Sequence, residues 1–245
     1  MEMLLLMKKN QVTNINSNID KSAIYDDLSV MGNTYKALKD IGCTPLVSIS
    51  MSILQKANGI IKNIDNALNA LSQEVNQLYN QDLTEEELNE KLELIKAKQD
   101  AIIQEGETKT SALAQIADLL MDLAPPIMEL KSMGGSSEII YSVINDLVGS
   151  ISTSPSEIKD VKNKQDVQEQ LKKNKKNIFG NDTEMKLKSQ IQNLEAEIET
   201  REKSIKEDKD IDSKKKDLYK LENKIFIGQK KCLENFLKKV ESIKL

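Results

Sequence analysis

Histidine and tryptophan are absent from the 245 residues; glycine occurs nine times, proline four times, cysteine twice, tyrosine five times and phenylalanine three times. The missing imidazole removes the usual general acid or base near neutral pH, and the commonest metal ligand with it. Histidine-dependent triads, zincins and helical di-iron sites of the Glu-x-x-His kind are therefore excluded. Scarce glycine, proline and aromatics argue against a sandwich, barrel or propeller, which need frequent turns and β-branched or aromatic strands. Cys43 and Cys232 stand 189 positions apart, so neighbours cannot build a CxxC redox pair or a zinc knuckle. Two buried thiols are expected rather than a disulfide. No run of 18 or more apolar residues occurs, which excludes a constitutive transmembrane helix on length. The run Met1–Met7 is too short for a signal h-region, and its positive charges, Lys8 and Lys9, follow it instead of preceding it. No Sec signal is expected, and the chain reads as cytoplasmic or exported without cleavage.

Charge is plentiful but uneven. Residues 1–152 hold 12 basic and 21 acidic side chains, net −9, while residues 153–245 hold 23 and 18, net +5. Packing within the chain would use that complementarity, and so would head-to-tail assembly between copies. Arg201 is the sole arginine, and 27 isoleucines with 20 asparagines point to the codon bias of an AT-rich, bacterial genome.

Hydrophobic periodicity predicts an all-α fold: an elongated helical bundle with long amphipathic helices and a C-terminal coiled-coil arm. Residues 1–44 read as a flexible leader with a short helix, the stretch from Asn10 to Ser29 being rich in Asn, Ser and Ile with weak periodicity. A first long helix is expected from Pro45 to Tyr79, where Ile49, Ile53, Ile60, Ile64, Leu71, Val75 and Leu78 recur at three-, four- and seven-residue steps. A turn over Asn80–Leu83 and a capping box of Thr84 with Glu87 open a second helix through Glu105. Short connection and matched length make these an antiparallel hairpin. A third helix is expected after Gly106, ended or sharply kinked by Pro125-Pro126, and a short fourth after Met133-Gly134-Gly135. Residues 45–152 thus form the hairpin and a central apolar region; only six of the 46 residues from Ser111 to Ser156 are charged. Residues 153–245 read as a lysine-rich coiled-coil arm. Ser154-Pro155-Ser156-Glu157 gives a cap, a proline and a glutamate at the spacing of a helix start. Asn177–Asp182 is the expected hinge. Beyond it Leu187, Ile191, Leu194, Ile198 and Ile205, then Leu218, Leu221 and Ile225, mark a narrow interaction seam. The arm is either one long helix or a hairpin bent near Asp208–Ser213.

Few constellations suit chemistry. Asp208, Asp210 and Asp212 open like a calcium loop, but Ser213 stands where glycine is needed and Tyr219 where glutamate is needed. No GxxxxGK[ST] or GxGxxG occurs, and Gly134-Gly135-Ser136-Ser137 reads as an interhelical turn capped by a serine. Lys162–Lys176 carries six lysines against Asp166 and Glu169, without the arginines and interleaved aromatics of nucleic-acid readers; a solvated face is expected, with anionic lipid as the functional alternative. No serine has a histidine base, and no cofactor or metal site is legible.

The residues therefore point to a non-enzymatic helical interaction or assembly protein, of the kind found in bacterial virulence or secretion apparatus, whose partner is another protein or a second copy meeting the seam. The alternative is an α-helical pore-forming or membrane-translocator protein. In that reading Leu119, Leu120, Leu123, Ile139, Ile140, Val143 and Ile144 would contact membrane lipid, at a cost of a few kcal/mol for each intramembrane carboxylate such as Asp118, Asp122, Glu129 and Asp146.

Overall fold

The structure, a computed structural model, describes residues 19–78, 80–176, 178–179, 182–207 and 213–243. Seven helices and no strands occur among the described residues: α1 Ser22–Ile41, α2 Thr44–Leu78, α3 Glu85–Ser132, α4 Glu138–Ser150, α5 Lys164–Lys176, α6 Asp182–Glu207 and α7 Ser213–Ile243. The protein is an all-α helical bundle. Its contacts gather the chain into two compact units: Met1–Ser29, Gln55–Ser111 and Ser152–Ile178 in the first, Val30–Leu54, Ala112–Ile151 and Phe179–Leu245 in the second.

In the first unit the expected hairpin forms. The Thr84 amide donates to Glu87 Oε2 at 2.9 Å and the Glu87 amide to Thr84 Oγ1 at 3.3 Å, so two orphan donors of α3 are satisfied reciprocally. Val75 and Leu78 of α2 then close on Leu88, Leu92 and Ile95 of α3, with Leu71 and Leu83 at the margin. Two expectations are corrected here. Gly106 does not separate two helices, because α3 runs through it. A Cβ at this position would lie 2.1 Å from Ile64 Cδ1 and 3.4 Å from Ile24 Cδ1, so the glycine is where neighbouring side chains approach the α3 backbone. Nor is Ser22–Ser29 a leader: it is the opening of α1, held by buried Ile24, by the Lys21–Asp65 ion pair and by Thr110 donating to Asp27 at 2.8 Å. The leader expected over residues 1–18 lies outside the described residues.

The expected helix start at Ser154 is also overturned. The Ser156 amide, which a cap would leave for the first helical turn, donates instead to both oxygens of Glu105 at 3.0 Å, and its hydroxyl to Oε1 at 2.8 Å. The segment stays irregular until Asn163 caps α5, accepting the amides of Gln165 at 2.8 Å and Asp166 at 3.0 Å. Val167 and Leu171 of α5 pack on Ala97 and Ala101 of α3, with Ile158 and Val161 alongside.

In the second unit Gly42, at φ 79°, ends α1: its amide and that of Cys43 return to the Leu38 carbonyl at 3.1 and 3.2 Å. Of the two expected effects of Pro125-Pro126, an end or a sharp kink, the end is overturned: α3 continues to Ser132. Each proline withdraws one hydrogen bond from the helix, at a cost of about 3 kcal/mol or more in a helix interior. Buried Leu120, Leu123, Ala124, Ile127 and Leu130 on either side hold the two halves to the same core. Gly134, at φ 76°, then turns the chain into α4; Ser137 at its N-cap makes no side-chain cap bond, and the Glu138 amide donates instead to Ser136 Oγ at 3.3 Å. The C-terminal region is a pair of helices: α6 and α7 lie antiparallel, linked by Arg201–Glu222, Glu195–Lys230 and Lys188–Glu241, and α4 packs on both. Cys43 and Cys232 are both buried and free.

Candidate functional site

Seam residues in α7 recur at Leu218, Leu221, Ile225, Gln229, Cys232 and Phe236, three or four apart, so they share one face. From Ile225 onward that face is covered by the end of α3 and the turn into α4. A Cβ on Gly135 would lie 2.9 Å from Ile225 Cγ2, a Cβ on Gly228 would lie 3.2 Å from Leu130 Cδ2, and Gln229 donates to the Ser136 carbonyl. Cys232 and Phe236 are buried. The cover stops at Ile225. The face does not: Leu221 is 40 % and Leu218 52 % exposed. From Ile225 back to Ser213 the helix extends about 18 Å at 1.5 Å per residue.

Helix α6 follows the same gradient. Leu187, Ile191 and Leu194 are buried, whereas Ile198 and Ile205, which lie along the far end of the hairpin, are half-buried. That far end is held in register by a polar layer. Arg201 donates to Glu222 at 3.0 Å and to Glu197 at 2.5 Å while its guanidinium sits 4.4 Å from the Phe226 ring centre. Burial opposes the charge, but the bonds Arg201 donates to Glu222 and Glu197 outweigh it and raise the Arg201 pKa. Asn223 donates to the Ile198 carbonyl at 3.5 Å. A slip of one helical turn would strip these groups of their partners while leaving leucines against isoleucines. The structure thus brings the eight seam residues onto one hairpin, six of them at least partly covered and two, Leu218 and Leu221, exposed.

The residues named for lipid contact lie elsewhere in the second unit and face inward. Leu119, Leu120, Leu123, Ile140, Val143 and Ile144 are buried and Ile139 is half-buried. No helix among the described residues is long and apolar enough to cross a membrane. Beside Leu119 and Leu123 runs a groove of about 760 Å³ between α3 and α7, with Asp122, Glu129, Lys231, Asn235 and Lys238 around it and Cys232 at its wall. Burial pushes the Cys232 thiol up, against a smaller opposing effect of Lys231, so it is held as the weakly nucleophilic thiol.

The most deeply placed ionic groups are in the first unit. Glu105 and Lys109 are both under 10 % exposed and pair at 2.6 Å; Ser156 donates to the carboxylate and Lys109 to the Ser154 carbonyl at 2.8 Å. Asn63 donates to the Thr153 carbonyl at 3.1 Å. This constellation was not legible in sequence, since Lys109 and Glu105 stand 45 and 51 positions from the Ser154 and Ser156 they hold, and Asn63 stands 90 from Thr153. Chemically it is a latch: the acid, the cation and the segment they hold satisfy one another, leaving no reactive group turned to a ligand. Lys162, Lys164, Lys172 and Lys173 stand on an exposed face of and before α5. The calcium-like Asp208, Asp210 and Asp212 lie outside the described residues; among the described residues no cluster of acidic or cysteine side chains has metal-binding geometry.

Compared with known protein families, with curated proteins and with solved structures, the chain matches none.

Proposed function

We propose that the protein is a non-enzymatic helical interaction protein that takes its partner at the exposed end of the α6–α7 hairpin. The observation that carries the reading is the continuation of a packed apolar face, without change of spacing, past the end of its cover to Leu221 and Leu218. The two leucines remain about half exposed in the fold, and a partner helix laid along them would extend the seam that α3 and α4 cover further on. Reaction chemistry has less to draw on: histidine is missing, the buried thiol is held protonated, and the Glu105–Lys109 pair is engaged by the segment it latches.

The test is chemical cross-linking in the producing cell, comparing the protein with a Leu218→Asp/Leu221→Asp variant. Because both side chains are exposed, thermal stability should change little, within about 0.5 kcal/mol, while a defined cross-linked adduct disappears. An unchanged adduct pattern, or a variant that unfolds, would place the two leucines outside any docking surface.

A further inference from the structure

The face around Leu218 and Leu221 is basic. Ser213–Lys224, the part of α7 beyond that cover, holds Lys214, Lys215, Lys216, Lys220 and Lys224 against Asp217, which pairs with Lys220 at 3.1 Å, and Glu222, which is taken by Arg201. Lys220, Lys224 and Lys214 flank the two leucines at helical spacing, and all three are exposed. Its counterpart in charge and shape is on the same chain. At the end of the α2–α3 hairpin Glu85, Glu86, Asn89, Glu90 and Glu93 line a shallow exposed concavity along one side of α3, and half-buried Leu83 lies just before it. From Glu85 to Glu93 the five glutamates are opposed only by Lys91, whose ammonium already donates to Gln81.

Two of these carboxylates, Glu90 and Glu93, exceed what the helix start favours. Glu87 alone closes the capping box, and the favourable field of a helix N-terminus fades within the first turn, so Glu90 and Glu93 gain nothing from it. Like charges at three- and four-residue spacing repel along an isolated helix. A row of lysines set beside exposed leucines would relieve that repulsion.

We infer that the occupant of the uncovered α7 face is a second copy of this chain, presenting the acidic side of α3 near Leu83. The inference rests on the docking reading above and adds the partner and the surface it presents. The contact pairs the basic face of one copy with the acidic side of α3 of another.

Sedimentation velocity on the purified full chain tests this with two charge-reversed variants, Lys214→Glu/Lys220→Glu/Lys224→Glu and Glu90→Lys/Glu93→Lys, each checked for helicity. The aspartates at 208, 210 and 212 are left unchanged. Wild-type protein should show an average mass that rises with concentration, and raising salt from about 0.05 M to 0.5 M should weaken association by roughly tenfold or more. Each variant alone, with the complementarity of the two surfaces removed, should stay monomeric. An equimolar mixture should associate again, because one variant keeps the acidic surface and the other the basic one. A wild-type mass that remains monomeric at all concentrations, or a mixture that fails to recover association, overturns the inference. If the chain is monomeric yet the adduct lost with Leu218→Asp/Leu221→Asp contains a different protein, the docking reading stands and the second copy falls.

Discussion

Replacing Gly106 with alanine opposes two effects of known sign. By helix propensity alone, alanine in the interior of a 48-residue helix should stabilise by about 1 kcal/mol. The packing says otherwise. The new methyl would lie 2.1 Å from Ile64 Cδ1, 3.3 Å from Ile64 Cγ1 and 3.4 Å from Ile24 Cδ1, and both isoleucines are almost wholly buried. Ile64 must leave its rotamer or push α2 away from α3, at the roughly 1–3 kcal/mol typical of overpacking. The expected net is a loss of about 0–2 kcal/mol. A double-mutant cycle isolates the cause. Ile64→Val removes Cδ1, the atom in conflict, so Gly106→Ala should cost less in the Ile64→Val background by about 1 kcal/mol. Urea denaturation followed by circular dichroism gives all four stabilities. If Gly106→Ala stabilises the protein, or if the two substitutions are additive, the close approach of Ile64 to the α3 backbone is refuted.

Lys109→Met, which keeps the stem and removes the charge, should destabilise by about 3–5 kcal/mol, because it leaves the buried Glu105 side chain without its cation; Glu105→Leu/Lys109→Met should cost less than the single change. Equal losses in urea denaturation would contradict the latch. Asp27 is raised above its ordinary pKa by burial, with the Thr110 bond opposing and Asp26 adding, so protonation favours the folded state. Its contribution is fully present below the unfolded carboxylate pKa and is lost as pH rises through the higher folded value. Asp27→Asn, which can still accept from Thr110, should therefore raise Tm at neutral pH and change it little at a pH below about 4. A Tm lowered at neutral pH would refute this. Cys43 and Cys232 should resist a thiol reagent in the native protein and react together on unfolding; rapid labelling of Cys232 in the native protein would place its thiol in the groove mouth.

Local signals were legible where they stayed local. The Thr84–Glu87 box, the seam of Val75, Leu78, Leu88, Leu92 and Ile95, and the buried thiols all follow from spacing and composition. Signals that depend on another part of the chain misled. Ser154-Pro155-Ser156-Glu157 has the residues of a helix start, yet Glu105 captures the Ser156 amide from 51 positions away. Gly106 and Pro125-Pro126 break helices on average, but here the surrounding core outweighs their local preference. The grouping of three separated segments into each unit could not be read from periodicity, which reports the face of a helix and not its neighbour. For the candidate site, spacing placed Leu187 to Ile225 on one seam, but it could not tell covered from uncovered. That distinction arises because the turn at Gly134-Gly135 meets α7 at Ile225 and leaves Leu221 and Leu218 beyond it.

The central claim, that this uncovered end of the α6–α7 hairpin is where the protein meets its partner, is tested most directly by placing a photo-cross-linking side chain at Leu221 and, separately, at buried Leu187 on the same seam. Irradiation in the producing cell should give a discrete intermolecular adduct from position 221 and none from position 187. No adduct from position 221, or the same adducts from both positions, would contradict it.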